Sequence, residues 1–128
     1  MINHTRLRIL DGQFSIHRLS IDSVIPPEVY ESDFFSIVKA SDEISIVCDS
    51  SILLTAEKSN HGWICLKFIG PLDFSLTGVL SGISKVLAKA NISIFALSTY
   101  NTDYILVEAI NITDAEQALM AAGYIFED

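Results

Sequence analysis

The sequence predicts an α+β fold made of two tandem halves, each on a β-α-β-β-α-β plan with an antiparallel sheet, the first half being degenerate. Three observations predict it. The first half contains short segments of alternating polarity, which are typical of strands. The second half orders its strand and helix patterns as the ferredoxin-like plan does. A strand–turn–strand pattern with an aspartate shortly after a serine occurs once in each half, at Asp42 and Asp103.

The first half is dominated by strand signals. Asp11-Gly12 is a hairpin turn signal between the first two strands, and Pro26-Pro27 precedes a short helix at Glu28–Glu31. The stretch Ser50–His61 is undecided, because Ile52-Leu53-Leu54 could form a helical turn while Glu57–Gly62 is polar and loop-like. We place the lobe boundary there, giving lobes 1–61 and 62–128. Strands are predicted at Leu7–Leu10, Phe14–Leu19, Phe34–Val38 and Ile44–Cys48.

The second half has clearer periodicity. Apolar residues spaced by three and four predict an amphipathic helix over Leu76–Ala90, with Asp73 or Ser75 as its N-cap and Asn91 as its stop. A capping box, Thr113 with Glu116, predicts a second helix that runs to about Ala122. Strands are predicted at Trp63–Ile69, Ile92–Leu97, Tyr104–Ile110 and Tyr124–Phe126.

Composition disfavours several classes of function. The chain has 128 residues, 50% of them hydrophobic, which is enough for a sizeable core. Its net charge of -8 disfavours binding to nucleic acid and to anionic lipid, since both depend on lysine and arginine. No apolar run approaches the roughly 20 residues of a membrane helix. The N-terminus lacks a signal peptide pattern, so we expect a cytoplasmic protein.

The sequence offers no catalytic or metal-binding pattern. Cys48 and Cys65 lie in apolar segments and are expected to be buried, reduced thiols. The three histidines, His4, His17 and His61, show no ligand spacing, so no metal site is predicted. A Gly-x-Ser-x-Gly elbow and a glycine-rich phosphate loop are both absent. We therefore expect no cofactor and no enzymatic activity.

One pair of segments suggests a ligand site. The predicted helix start at Asp73–Gly78 could hold a carboxylate on free backbone N–H groups, and Gly78 permits close approach. The polar turn Ser98–Asp103 would lie beside it on the ferredoxin-like plan, where Asp103 could pair with an ammonium group. Together they would suit an amino acid. Alternatively, Asp103 and Thr102 only shape the hairpin.

The runs Gly70–Gly78 and Ile92–Val107 resemble the ACT-domain proteins of the aspartate-kinase regulatory and CASTOR type, and Asp42–Cys48 resembles their N-terminal lobe. The resemblance covers nearly the whole chain. It implies tandem ACT-like lobes that bind amino acids and regulate rather than catalyse. The ligand contacts that it implies are Asp73, Leu76, Thr77, Gly78, Thr99, Tyr100 and Asp103.

The resemblance also narrows the range of amino acids that the site would bind. The arginine-sensing relatives carry an acidic residue at the position of Leu76, so a smaller or apolar amino acid is favoured over arginine. Because this chain has fewer lobes, a site between lobes would need a second copy, and a homodimer is expected. Two alternatives stay open: a protein-interaction or structural module whose ligand site has decayed, and an enzyme of small metabolites, for which the sequence offers no base.

Overall fold

The computed structural model describes residues 6–70, 72 and 77–127, which form strands, three α-helices and a 3-10 turn at Ala109–Asn111. No helix in this part of the chain is long and apolar enough to cross a membrane. In chain order the elements are β1 (Arg6–Ile9), β2 (Phe14–Leu19), α1 (Pro27–Glu31), β3 (Ser36–Lys39), β4 (Ile44–Asp49), β5 (Lys58–Phe68), α2 (Val79–Lys89), β6 (Ile94–Ser98), β7 (Asp103–Glu108), α3 (Ile112–Ala121) and β8 (Ile125–Phe126).

The chain divides into two compact units. The N-terminal unit is Gly12–Trp63, and the C-terminal unit combines Met1–Asp11 with Ile64–Asp128. The lobes are predicted as 1–61 and 62–128, so strand β1 belongs with the C-terminal unit rather than with the half of the sequence in which it occurs.

The N-terminal unit is a ferredoxin-like lobe without its second helix. Its strands lie in the order β3-β4-β2-β5, with every pair antiparallel. Numbered along this lobe, that order is 2-3-1-4, which is the ferredoxin-like order. Between β4 and β5 the chain runs through residues 50–57 as a turn and extended segment. The predicted helical turn at Ile52–Leu54 is absent, and the lobe is degenerate as predicted.

Side chains that alternate between the two faces of β2 and β4 place apolar residues in the core of this unit. Leu19 faces Ile44 in register, and both belong to a buried apolar cluster with Val29 of helix α1. Two polar residues of β2, Ser15 and His17, are buried as well. The sheet therefore carries polar groups on strand β2, next to the segment that replaces the second helix.

The C-terminal unit has the predicted β-α-β-β-α-β order, supplied by β5, α2, β6, β7, α3 and β8. Strand β5 pairs with β7, and β7 pairs with β6. Strand β1 lies between β5 and β8, antiparallel to the former and parallel to the latter. The lobe is thus a ferredoxin-like sheet with one strand inserted beside its last strand. Helices α2 and α3 cover it and contribute Ile83, Leu87, Ala115 and Leu119 to the core.

Two strand predictions were wrong for the same reason. Strands β1 and β2 do not form a hairpin at Asp11-Gly12; both pair with β5, β2 with its first residues and β1 with its last. The stretch Glu57–Gly62, predicted as a loop, is mostly the start of β5. An 11-residue strand offers pairing along its whole length, and hydrogen bonding to β2 outweighs the polar composition of Lys58–Gly62.

The two longer helices, α2 and α3, begin at residues other than those predicted. Helix α2 begins at Val79, three residues later than predicted, with Gly78 as its N-cap; the predicted caps Asp73 and Ser75 lie outside the described residues. Asn91 follows α2 in the left-handed conformation, with φ 60°, which is typical of a residue that ends a helix. The capping box at Thr113 is wrong, because the 3-10 turn leads into α3 at Ile112 and no side chain caps that helix.

Candidate functional site

A cleft of about 290 Å³ lies in the C-terminal unit between the start of α2 and the turn that joins β6 to β7. One wall is the first turn of α2, and the other is the polar turn. The described residues that line it are Leu72, Gly78, Val79, Leu80, Ser81, Ser98, Thr99, Tyr100, Thr102 and Asp103.

The helical wall presents backbone donors. Gly78 adopts the left-handed conformation, with φ 81°, which a residue with a side chain rarely adopts. A Cβ atom built on it would meet no atom of the described residues within 4 Å, so on that side the backbone is open to a ligand. The first hydrogen bond of the helix runs from the Gly82 N–H to the Gly78 carbonyl, 2.8 Å. The N–H groups of Val79, Leu80 and Ser81 therefore have no acceptor within the helix.

The opposite wall is a turn fixed by threonine hydroxyls. The Thr99 N–H donates to the Thr102 carbonyl over 2.8 Å, and the Thr102 N–H donates to Thr99 Oγ1 over 3.3 Å. Thr102 is buried, and its Oγ1 donates to the Phe68 carbonyl of β5 over 2.9 Å. The Leu72 N–H donates to the Asn101 carbonyl over 2.6 Å. These bonds hold the turn against strand β5 and against Leu72.

Asp103 is the acidic group in the described lining. It is half-buried at the start of β7, and the Ser98 hydroxyl donates to its Oδ1 over 2.6 Å. That bond holds the carboxylate in place and leaves its second oxygen, Oδ2, as an acceptor. The cleft therefore offers a fixed negative group on one wall and backbone donors on the other.

The structure brings four of the seven predicted site residues to this cleft: Gly78, Thr99, Tyr100 and Asp103. Tyr100 is 79% exposed, so it stands at the rim. Thr77 is exposed and does not line the cleft. Asp73 and Leu76 lie outside the described residues, and their role stays a prediction.

Sequence reasoning missed the apolar part of the lining, which comes from Leu72, Val79 and Leu80, and the hydroxyl of Ser81. It singled out the turn that contains Ser98 and Thr102 but not the bond from Ser98 to Asp103, although a serine five residues before an aspartate across a tight turn is placed to form it. Val79 and Leu80 could not have been found, since their spacing is that of core residues in an amphipathic helix.

No cysteine is among the described residues that line this cleft. Both cysteines are buried elsewhere. Burial raises the pKa of the Cys65 thiol to about 12, and burial together with the neighbouring Asp49 raises that of Cys48, so both thiols are protonated at neutral pH. Among residues 6–70, 72 and 77–127 there is also no group of three histidine, cysteine or acidic side chains that could hold a metal ion.

Comparison with known families matches the unit that carries the cleft. Residues 58–121 match a family model described as ACT domain, and residues 12–52 match a model of an N-terminal domain. The chain is 32% identical over 108 residues to the cytosolic arginine sensor for mTORC1 subunit 1 of Pongo abelii, covering 77% of this chain and 33% of the relative. The chain thus spans about half or less of the curated relatives that it matches.

Solved structures extend the match to both units. A crystal structure of an Agrobacterium tumefaciens protein superposes with a TM-score of 0.87 at 32% identity, covering 99% of this chain and 96% of that one. Aspartate kinase of Clostridium acetobutylicum superposes with a TM-score of 0.65 over 88% of this chain and 33% of the kinase; at 13% identity this shows a shared fold. The chain therefore belongs to the ACT-domain family.

Proposed function

We propose that this chain is a non-catalytic regulatory module that senses an amino acid in the cleft between α2 and the Ser98–Asp103 turn. The observation that carries the proposal is the pairing of a helix start with a fixed carboxylate across one cleft. Family membership supports it, because ACT domains regulate by binding amino acids, and one relative is named as an arginine sensor.

The two walls match the two charged ends of an amino acid. The α-carboxylate would accept hydrogen bonds from the N–H groups at the start of α2, where the helix dipole also favours negative charge. The α-ammonium would donate to Asp103 Oδ2. Asp73 and Leu76 would complete the site from the segment before α2, as the family resemblance implies.

The lining favours a neutral side chain. The volume of the cleft, about 290 Å³, lies just below the roughly 300–1,000 Å³ that is typical of small-molecule sites. Leu72, Val79 and Leu80 are apolar, and Asp103 is already assigned to the ammonium group. We therefore infer that a small or apolar amino acid is preferred over arginine.

The proposal includes a cytoplasmic homodimer whose partner copy closes the cleft. Strands β3 and β6 each pair with one strand among the described residues, and such edges are available for pairing with another copy. The ligand would then act by binding one packing of the copies more tightly than another.

A thermal-unfolding screen against the twenty amino acids tests the function. At a ligand concentration a hundred times its Kd, stabilisation should reach about 2.7 kcal/mol, and a neutral amino acid should give the largest shift. Asp103→Asn keeps the shape of the side chain and removes its charge, so it should weaken binding roughly 10- to 100-fold, the worth of a charge-assisted hydrogen bond.

The matched control is Asp114→Asn, which removes one negative charge from the first turn of α3, away from the cleft. It should leave the shift unchanged. Light scattering on the same samples, with and without ligand, measures how many copies of the chain associate. If no amino acid stabilises the protein at several millimolar, the proposal is wrong and a protein-interaction module with a decayed ligand site takes its place.

A further inference from the structure

Ser98 and Asp103 face each other at the ends of two paired strands. They are register partners in the antiparallel pair of β6 and β7, and residues 99–102 between them form the turn beside the cleft. The Ser98 hydroxyl donates to Asp103 Oδ1 over 2.6 Å, a distance typical of a hydroxyl bound to a charged carboxylate. Because strand pairing fixes both backbones, this bond sets the orientation of the carboxylate.

The two oxygens of Asp103 are therefore not equivalent. Oδ1 already accepts the Ser98 hydroxyl, whereas no described residue donates to Oδ2. Asp103 is half-buried, and it supplies the carboxylate among the described residues that line the cleft. A cationic group that enters the cleft thus meets one oxygen that is open and one that is already bonded.

A guanidinium and an ammonium group differ in what they need from a carboxylate. A guanidinium fork binds best when each of the two oxygens accepts one N–H. This protein contains such a contact at Glu127, whose Oε1 and Oε2 each accept a bond from the Arg6 guanidinium. Among the described residues, no hydroxyl donates to Glu127. An ammonium group is a compact charge and can bind to one oxygen alone.

We propose that Ser98 determines which cation the amino-acid cleft accepts: with Oδ1 engaged by the hydroxyl, Asp103 favours an ammonium group over a guanidinium group. A fork aimed at both oxygens would have to share Oδ1 with the Ser98 hydroxyl or displace it, and displacement loses a charge-assisted bond. The inference rests on the proposed function, because it takes Asp103 as the partner of the ligand's cation.

Removal of the hydroxyl separates this role from a purely structural one. In Ser98→Ala, both oxygens of Asp103 are open to a guanidinium fork. An ammonium group gains nothing there and loses the fixed orientation of the carboxylate. The affinities for the two cations should therefore change in opposite directions, whereas a bond that only shapes the hairpin predicts that both affinities change together.

Calorimetric titration of the full chain with matched pairs of ligands tests the inference. Each pair is an amino acid and its N-amidino derivative, in which a guanidinium replaces the α-ammonium: glycine with guanidinoacetate, L-alanine with N-amidino-L-alanine, and L-leucine with N-amidino-L-leucine. We expect the wild type to bind the amino acid of a pair more tightly, and Ser98→Ala to lower this preference roughly 10-fold or more. Ser98→Thr keeps the hydroxyl and should keep the preference.

A second variant and a control accompany these titrations. Ser98→Cys replaces the hydroxyl with a weak donor and should lower the preference as Ser98→Ala does. The control is Ser84→Ala, which removes a hydroxyl from α2 outside the described lining of the cleft and should leave the preference unchanged. Because Ser98 is exposed, its variants should unfold near the wild-type temperature when no ligand is present.

The outcomes distinguish this inference from the proposed function. The inference is overturned, and the proposed function stands, if the amino acids bind but Ser98→Ala weakens both members of a pair equally, or if Ser98→Thr loses the preference as well. If none of the three amino acids binds to the wild type, the proposed function fails for small and apolar ligands and the inference fails with it. Binding that Asp103→Asn leaves unchanged would show that the ligand's cation lies elsewhere and would overturn the inference.

Discussion

His17 is a buried histidine that the fold keeps neutral. It is 3% exposed on strand β2, its Nδ1 lies 2.7 Å from the Ser59 hydroxyl, and its Nε2 is buried without a partner among the described residues. Burial lowers its pKa below the usual 6.5, and repulsion from the nearby His61 ring, whose centre is 5.8 Å away, lowers it further. The native protein therefore resists a proton that the unfolded chain accepts.

His17 makes stability fall on mild acidification. Well above pH 6.5 the histidine is neutral in both states, and it contributes no pH dependence. As the pH falls through 6.5, the unfolded chain binds the proton first, so the free energy of unfolding decreases, by at most about 1.4 kcal/mol per pH unit. Urea unfolding between pH 7 and 5.5, followed by the fluorescence of the buried Trp63, should show this slope, and His17→Gln should flatten it.

Two described carboxyls have lowered pKa values, and they titrate below this window. Asp49 accepts bonds from Ser51, and Glu127 is held by Arg6. Equal slopes in the wild type and in His17→Gln would show that His17 is protonated in the native protein as readily as in the unfolded chain.

At the scale of elements, Thr102 ties the β6–β7 hairpin to strand β5. Its hydroxyl donates to the Phe68 carbonyl, and its backbone closes the turn with Thr99. One threonine thus fixes the position of the turn that carries Asp103. Thr102 thus shapes the hairpin, and so does Asp103, whose bond from Ser98 joins two residues that face each other on β6 and β7.

Thr102→Val tests this tie. The substitution keeps the shape and removes the hydroxyl, so the buried Phe68 carbonyl loses a donor, at a cost of about 1–3 kcal/mol. Thr113→Val is the matched control: Thr113 is exposed in the first turn of α3 and caps no helix, so its loss should stay within about 0.5 kcal/mol. Urea unfolding of both variants gives the comparison, and equal losses would contradict the assigned contact.

At the scale of the whole molecule, apolar residues are divided between two cores and the surface. Each unit has its own buried cluster, one around Ile83, Leu87 and Leu119 and the other around Val29 and Ile46. Other apolar side chains remain in solvent, among them Leu53 at 90% exposed. Composition alone therefore says how much core is available and not which residues form it.

The same substitution, leucine to alanine, should show this division when it is made at one buried and at one exposed position. Leu87→Ala removes a fully buried side chain and should cost about 2–5 kcal/mol, because it loses apolar burial and leaves a cavity. Leu53→Ala should cost less than about 0.5 kcal/mol. Chemical denaturation of the two variants measures the difference, and a large loss at Leu53 would mean that another surface covers it.

The sequence by itself determined the local features of this protein. Alternating polarity predicted strand Phe14–Leu19, three-and-four spacing predicted the helix that packs through Ile83 and Leu87, and Asn91 marked the end of that helix. The helix start and the turn with Asp103 predicted a cleft that the structure forms. These features follow from residues close together in the chain, so their cause is visible in the sequence.

Only the tertiary structure decided the pairings between distant residues. Strand β1 joins the C-terminal unit, and Lys58–Gly62 extends β5, because partner strands satisfy their backbone hydrogen bonds. The bond from Thr102 to Phe68 and the register that sets Arg8 opposite Lys67 arise in the same way. Backbone pairing is available to nearly every residue, so its register depends on how the whole sheet packs and is not visible in local sequence.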